Sequence, residues 1–225
     1  MSARRDDLLR TAQFELQREL ANNIEADPQT VMRHAEMLAR SYDLAKKPKV
    51  AQGYFDMASQ ASRQALRAVE HTEEKRLDQR ADLYLNAAIL QWRAGRIDSN
   101  NFFRAALTLY RLGVENDETG IQLRCHQGSV YSSLFLKDLD SAVTSAMLAN
   151  HLEEEFGLPV QVLWSQLLLD VIQKCQENNQ KAYTEAVELI DNFIKEARND
   201  LYYRNGLMLT DLRTLINQYS DELAE

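Results

Sequence analysis

Apolar side chains recur at intervals of three and four residues along almost the whole chain, which is the spacing of one face of an α-helix. One such stripe consists of Val50, Tyr54, Met57, Ala58, Ala61, Ala65 and Ala68. No segment alternates apolar and polar residues for long, as a strand with one buried face would. Only seven glycines and three prolines occur among 225 residues, which leaves few turns and indicates long elements. The sequence therefore predicts an all-α fold of about ten helices.

Several residues mark where helices begin and end. Asp27 stands before Pro28, which predicts an N-cap followed by proline at the first helical position. Pro48, Gly95 and Gly157 are expected to interrupt the chain at other helix ends. These breaks divide the chain into helices joined by short connections.

Small residues recur at an interval of roughly forty positions, which is typical of a repeat made of two helices. Ala142, for example, recurs as Ala182 or Ala186, and Asn100 lies near the same place one unit earlier. Helix pairs of this length cannot bury their apolar faces alone, so they stack on their neighbours as a solenoid. We therefore expect one helical-repeat domain over residues 1–225.

The clearest repeat unit lies between residues 81 and 107. Its first helix and the following turn carry Tyr84, Leu85, Asn86, Ala87, Ala88, Gly95, Arg96, Ile97 and Asp98. A second, degenerate unit keeps Gly128, Tyr131, Asp140, Ala142 and Ala149. This order resembles the tetratricopeptide repeat, in which small residues let paired helices approach and glycine turns the chain. The resemblance implies a right-handed superhelical stack of about ten antiparallel helices.

The charge is distributed unevenly along the chain. Residues 151–225 carry six basic and fourteen acidic side chains, whereas residues 1–150 carry twenty of each, so the net charge of −8 arises in the last third. A negative surface repels nucleic-acid phosphates and anionic lipids and attracts basic proteins. We therefore expect no nucleic-acid binding and at most peripheral membrane contact. The simplest interpretation places individual acidic residues on solvated helix faces, among them Glu153, Glu154, Glu155, Glu185, Glu188 and Asp191.

The apolar segments and the cysteines predict the cellular compartment of the protein. The longest uncharged run, from Phe156 to Leu169, is shorter than the roughly 20 apolar residues that span a bilayer. The amino end has no apolar signal core, and the two cysteines, fifty positions apart, offer no disulfide framework. We expect a protein without a transmembrane segment in the reducing cytoplasm.

The residues that usually carry catalysis or metals are scattered. The histidines are His34, His71, His126 and His151. None of them has another histidine or a cysteine three or four residues away, the spacing that would let two ligands share a metal on one helix face. Cys125 and His126 are adjacent, so on a helix they point about 100° apart, which is poor geometry for a nucleophile and its base. Cys175 stands among aliphatic residues, where a cysteine is usually part of the core. The sequence predicts a protein that is not an enzyme and has no cofactor or bound metal.

The segment from Cys175 to Ile216 resembles the carboxyl-terminal region of the soluble NSF attachment proteins (SNAPs). The resemblance is carried by Glu177, Asn178, Asn179, Tyr183, Thr184, Glu185 and Val187, and then by Leu207, Met208, Leu209, Leu212, Arg213 and Ile216. The chain ends in an acidic segment with a leucine near its terminus, as in that family: Ser220, Asp221, Glu222, Leu223, Ala224 and Glu225.

This resemblance implies a non-enzymatic adaptor in SNARE disassembly and vesicle trafficking. A concave face would hold a four-helix SNARE bundle, while the acidic end would engage a basic surface of the disassembling ATPase. The implied partner-binding residues are Asp221 and Glu222, which would pair with basic side chains, and Leu223, which would enter an apolar pocket. Glu177 would belong to a second acidic patch, although Gln173 and Gln176 stand where that family has further glutamates.

Two other classes of function remain open. The first is a generic tetratricopeptide scaffold or peptide receptor within another multiprotein complex. Asn86 stands where such receptors often hold a peptide carboxylate. The second is an all-helical enzyme or ligand-binding regulator, which would need an interior pocket with perturbed titratable groups.

Overall fold

In the computed structural model of the chain, the described residues are 10, 11, 13, 14, 16–18, 27–70, 76–156, 162–196 and 203–224. They form ten helices and no strand, which confirms the all-α prediction. Helix α1 contains the described residues between 10 and 18. The bounds of the others are α2 Pro28–Leu44, α3 Pro48–Glu70, α4 Leu77–Arg93, α5 Ser99–Gly113, α6 Thr119–Phe135, α7 Leu139–Phe156, α8 Val162–Gln176, α9 Gln180–Glu196 and α10 Tyr203–Ala224.

Helices that are adjacent in sequence pack as pairs. In four of the turns that join consecutive helices, one residue lies in the left-handed backbone region. The φ angles are +57° at Lys46, +68° at Gly95, +60° at Lys137 and +48° at Asn178. The last three turns lie at positions 95, 137 and 178, so they are 42 and 41 residues apart. The repeat of roughly forty residues is therefore visible in the turns, while the handedness of a superhelix stays a prediction. Gly157 lies outside the described residues.

Side-chain caps explain where several helices begin. Asp27 accepts a hydrogen bond from the backbone N–H of Thr30 at 3.1 Å, and Pro28 occupies the first turn, as the sequence predicts. Asp138 and Asn179 cap α7 and α9 in the same way, each accepting the N–H three residues further on, at 3.1 and 2.9 Å. Aspartate or asparagine thus follows directly after the left-handed residue in the last two turns.

The chain divides into two compact units, Met1–Phe102 and Phe103–Glu225. The single domain expected over residues 1–225 stays a prediction, and each unit is described by itself. The core of the first unit is formed by Leu16, Val31, Met32, Ala35, Leu38, Ala39, Ala51, Phe55, Ala58, Ala61, Leu90 and Ala94. Beside it the amide of Gln91, which is fully buried, donates to the carbonyl of Ser59 at 2.8 Å and accepts from Arg63 at 2.8 Å. This network ties α3 to α4.

Helix α6 lies deep in the second unit, with most of its side chains buried. Phe135 of α6 stacks on Phe103 of α5 with 4.6 Å between the ring centroids. Gly128 lies against the phenol ring of Tyr110, which is fully buried, and a Cβ at position 128 would overlap that ring. The missing side chain of Gly128 therefore sets how closely α5 approaches α6.

The close approach at Gly128 predicts that Gly128→Ala lowers the free energy of unfolding by about 1 to 3 kcal/mol, the usual cost of overpacking a core. Gly120→Ala on the same helix is the matched control, because a Cβ at position 120 meets open space. We expect this control to be neutral or up to about 1 kcal/mol more stable, since alanine favours helix. Urea denaturation of both variants measures the effect, and equal stability of the two would contradict this packing.

Candidate functional site

A cleft of about 430 Å³ opens in the second unit where the α6–α7 turn, the α8–α9 turn and the last turns of α10 meet. We call it the terminal cleft. It is lined by Lys137, Leu139, Cys175, Gln176, Asn178, Tyr183, Tyr219, Glu222 and Leu223. Three segments that are distant in sequence therefore contribute to one surface.

The two turns at the cleft are built alike. Each holds a residue in the left-handed region, Lys137 in one and Asn178 in the other. The backbone N–H of Lys137 donates to the carbonyl of Leu134 at 3.0 Å, which closes the end of α6. The side-chain oxygen of Asn178 accepts a hydrogen bond of 2.8 Å from the hydroxyl of Tyr183, which ties the second turn to α9. Both turns are thus held in place by their own hydrogen bonds.

Two tyrosines and a cysteine form the floor of the cleft. The rings of Tyr183 and Tyr219 lie 6.0 Å apart between centroids and are inclined at 60°. The hydroxyl of Tyr219 donates to the carbonyl of Leu134, and burial raises the pKa of this phenol. Cys175 is 1% exposed, and burial raises the pKa of its thiol to about 12. Since both hydroxyls are occupied and the thiol stays protonated, the floor presents an apolar surface.

One ion pair stands at the rim of the cleft. The ammonium group of Lys137 pairs with the carboxylate of Glu222 and also lies 5.1 Å from the ring centroid of Tyr219. The two charged side chains are 57% and 59% exposed, so water and salt screen the pair strongly. Leu223, 46% exposed, is the aliphatic side chain of the same rim.

The structure brings the partner-binding residues predicted from the sequence to this end of the second unit. Glu222 and Leu223 line the cleft, and Asp221 precedes them on α10 and is exposed. Glu177 lies between two lining residues and accepts a hydrogen bond from Lys174 at 2.9 Å. Their role in binding stays a prediction.

Lysines that the sequence analysis did not single out neutralise part of the acidic patch. The ammonium group of Lys174 lies 2.9 Å from a carboxylate oxygen of Glu177 and 2.8 Å from one of Glu185. Hydrogen bonding and charge raise the pKa of Lys174 and lower that of Glu185. Lys137 plays the same part for Glu222, from which it is 85 residues distant in sequence. No local sequence pattern signals a pair of that separation.

The expectation that Glu153 lies on a solvated face is wrong. Its side chain is fully buried, whereas Glu154 and Glu155 are exposed. Gln127 donates to one carboxylate oxygen at 2.7 Å, and the backbone N–H of Ser165 donates to the other at 3.3 Å. Ser165 belongs to the first turn of α8, so the carboxylate of Glu153 lies at a helix start, where the helix dipole favours negative charge. The carboxylate therefore has a structural role between α6, α7 and α8.

Histidine, cysteine and acidic side chains are the usual protein ligands of metal ions. Within the described ranges, no three or more histidine, cysteine or acidic side chains are grouped so that they could hold a metal ion. Cys125 and His126 are both buried in α6, and burial lowers the pKa of His126. Asn86, the possible peptide-carboxylate ligand, is half-buried in α4.

No protein-family model matches the chain, and no match was found among curated proteins or solved structures. Of the helices in the described part, none has the length and apolar content needed to cross a membrane.

The burial of Glu153 predicts a pH dependence of stability. Because burial raises its pKa above 4.5, the folded protein keeps this proton at pH values where the unfolded chain has released it. The contribution of Glu153 to the free energy of unfolding therefore falls as the pH rises above 4.5, and Glu153→Gln removes that fall. In urea denaturation we expect the unfolding free energy of the variant, minus that of the wild type, to increase from pH 4.5 to 7.

The exposed neighbour supplies the control, since Glu154→Gln removes the same charge from a side chain that water solvates. A Glu153→Gln difference that is constant or decreases with pH would contradict the assigned burial.

Proposed function

We propose that this chain is a non-enzymatic helical-repeat adaptor that binds a protein partner at the terminal cleft and the adjoining end of α10. The observation that carries the proposal is the juxtaposition of an apolar floor, the exposed Leu223 and the carboxylates of Asp221 and Glu222. Apolar anchors surrounded by charged groups are typical of protein interfaces.

The charge of the second unit supports a basic partner. Residues 103–225 contain ten basic and nineteen acidic side chains. Such an excess attracts basic proteins from a distance and raises their association rate, while it disfavours nucleic acids. The contacts at Leu223 would then supply affinity that charge alone does not, because exposed ion pairs contribute little.

The specific form of the proposal is a cytoplasmic SNAP-like adaptor in SNARE disassembly. It rests on the resemblance of residues 175–216 and on the acidic end with its leucine. In this form the helical repeats hold the SNARE bundle, and Asp221, Glu222 and Leu223 contact the disassembling ATPase. A generic tetratricopeptide scaffold in another complex would use the same terminal cleft with a different partner.

An assembled four-helix SNARE bundle and its disassembling ATPase test the specific form. We expect the chain to bind the bundle and to raise the rate of ATP hydrolysis. Leu223→Ser should lower the affinity for the ATPase about tenfold or more, as the loss of an interface anchor does. Leu112→Ser is the matched control, because Leu112 is 48% exposed in the same unit and lies outside the cleft lining.

Failure to bind the bundle together with no effect on ATP hydrolysis would rule out the SNARE function. Equal effects of Leu223→Ser and Leu112→Ser would show that the end of α10 is not the contact.

A further inference from the structure

We propose that the terminal cleft receives an apolar side chain from a basic segment of the partner, and that an arginine or lysine of that segment displaces Lys137 from Glu222. This inference rests on the proposed adaptor function and specifies the chemistry of its partner. In it, the partner inserts a side chain into this chain, in addition to any contact that Leu223 makes with the partner.

The floor of the cleft, formed by Tyr183, Tyr219 and Cys175, favours an apolar occupant, while the polar lining residues Gln176, Asn178, Lys137 and Glu222 surround it. The hydroxyl of Tyr183 already donates its hydrogen bond to Asn178, and that of Tyr219 donates to the carbonyl of Leu134. Neither tyrosine of the floor therefore has a free hydrogen-bond donor to offer. The volume of about 430 Å³ is within the range of sites that enclose small ligands, and it can hold a leucine or an aromatic side chain. A polar side chain placed against the two tyrosine rings would lose water without gaining a hydrogen-bond donor from either hydroxyl.

The rim selects the charge of the occupant. Glu222 lines the cleft, Asp221 is exposed beside it, and Glu177 lies between two lining residues. Glu222 is paired with Lys137, and Glu177 is paired with Lys174. A basic partner segment therefore gains attraction from the unit's excess of acidic groups, whereas an acidic segment meets repulsion.

Lys137 acts as an internal competitor for the partner's cation. Its pair with Glu222 is more than half exposed on both sides, so breaking it costs little. After displacement, its ammonium group still has the ring of Tyr219 within reach, 5.1 Å from the centroid. Lys137 thereby tunes affinity: a partner must offer a better-placed cation than this lysine to engage Glu222.

Three blocked synthetic peptides of equal length are suitable probes: one with leucine flanked by arginines, one with leucine flanked by glutamates, and one with serine flanked by arginines. Binding is measured by fluorescence anisotropy at low salt. Alkylation of the two cysteines is followed separately by mass spectrometry. Cys175 lines the cleft but is 1% exposed, so its alkylation reports local opening of the cleft, whereas alkylation of Cys125, which is fully buried in α6, reports opening of the core.

We expect only the leucine–arginine peptide to bind and to slow alkylation of Cys175, with no change at Cys125. Lys137→Ala should tighten this binding about two- to fivefold, as removal of a weak exposed ion pair allows. Glu222→Gln should weaken it. Lys181→Ala is the control, because it removes an equal charge from an 87% exposed side chain of the same unit that does not line the cleft.

Binding of the glutamate peptide as tight as that of the arginine peptide would overturn the proposal. So would arginine-peptide binding that leaves Cys175 unprotected, or a Lys137→Ala effect no larger than that of Lys181→Ala. Protection of Cys175 by the leucine–arginine peptide, in a chain that binds no SNARE bundle, would support the cleft and count against the SNARE function alone.

Discussion

The docking of Tyr219 against the α6–α7 turn holds the candidate site together. Its hydroxyl donates to the carbonyl of Leu134, its ring contacts that of Tyr183, and Lys137 lies over it. Burial keeps the phenol protonated, so it remains a hydrogen-bond donor. Because Glu222 and Leu223 follow within one turn of α10, the position of Tyr219 determines where these two residues lie. Without it, the cleft would lose part of its floor and one side of its rim.

The fold was predictable from the sequence to the extent that it depends on local spacing. The recurrence of apolar residues at every third or fourth position predicts the helices. Asp27 with Pro28 predicts the start of α2. Gly95 is a recognisable turn residue, but Lys137 and Asn178 adopt the same left-handed backbone without being glycine. Hydrogen bonds to Leu134 and from Tyr183 hold these two turns, and the residue type at the turn does not reveal them.

The candidate site was predictable only in part, because its polar contacts are not local. Asp221, Glu222 and Leu223 stand out as an acidic end with an aliphatic residue. Their ionic partner Lys137 does not, since 85 residues separate it from Glu222. The prediction that Glu153 is solvated is wrong for a related reason. Glu153 belongs to a run of three glutamates, and only the positions of α6 and α8 show which of the three is buried. Burial and pairing between helices are tertiary properties that periodicity does not encode.

The pairing of Glu177 and Glu222 with lysines changes what an acidic end can do. These carboxylates already interact with lysines of this chain. A partner's cation that replaces one of these lysines therefore gains only the difference between the two interaction energies. In the proposed interaction, the apolar floor beneath the pair would supply specificity, because an apolar side chain loses least when it leaves water there. The proposal thus assigns long-range attraction to the charge of the whole unit and recognition to the cleft.

Amide hydrogen–deuterium exchange of the whole chain, alone and with the assembled SNARE bundle and ATPase, would decide whether the terminal cleft is a binding surface. If it is, exchange slows at residues 134–139, 175–183 and 219–224, the segments that build the cleft. Unchanged exchange in these three segments, with protection confined to other helices, would contradict it.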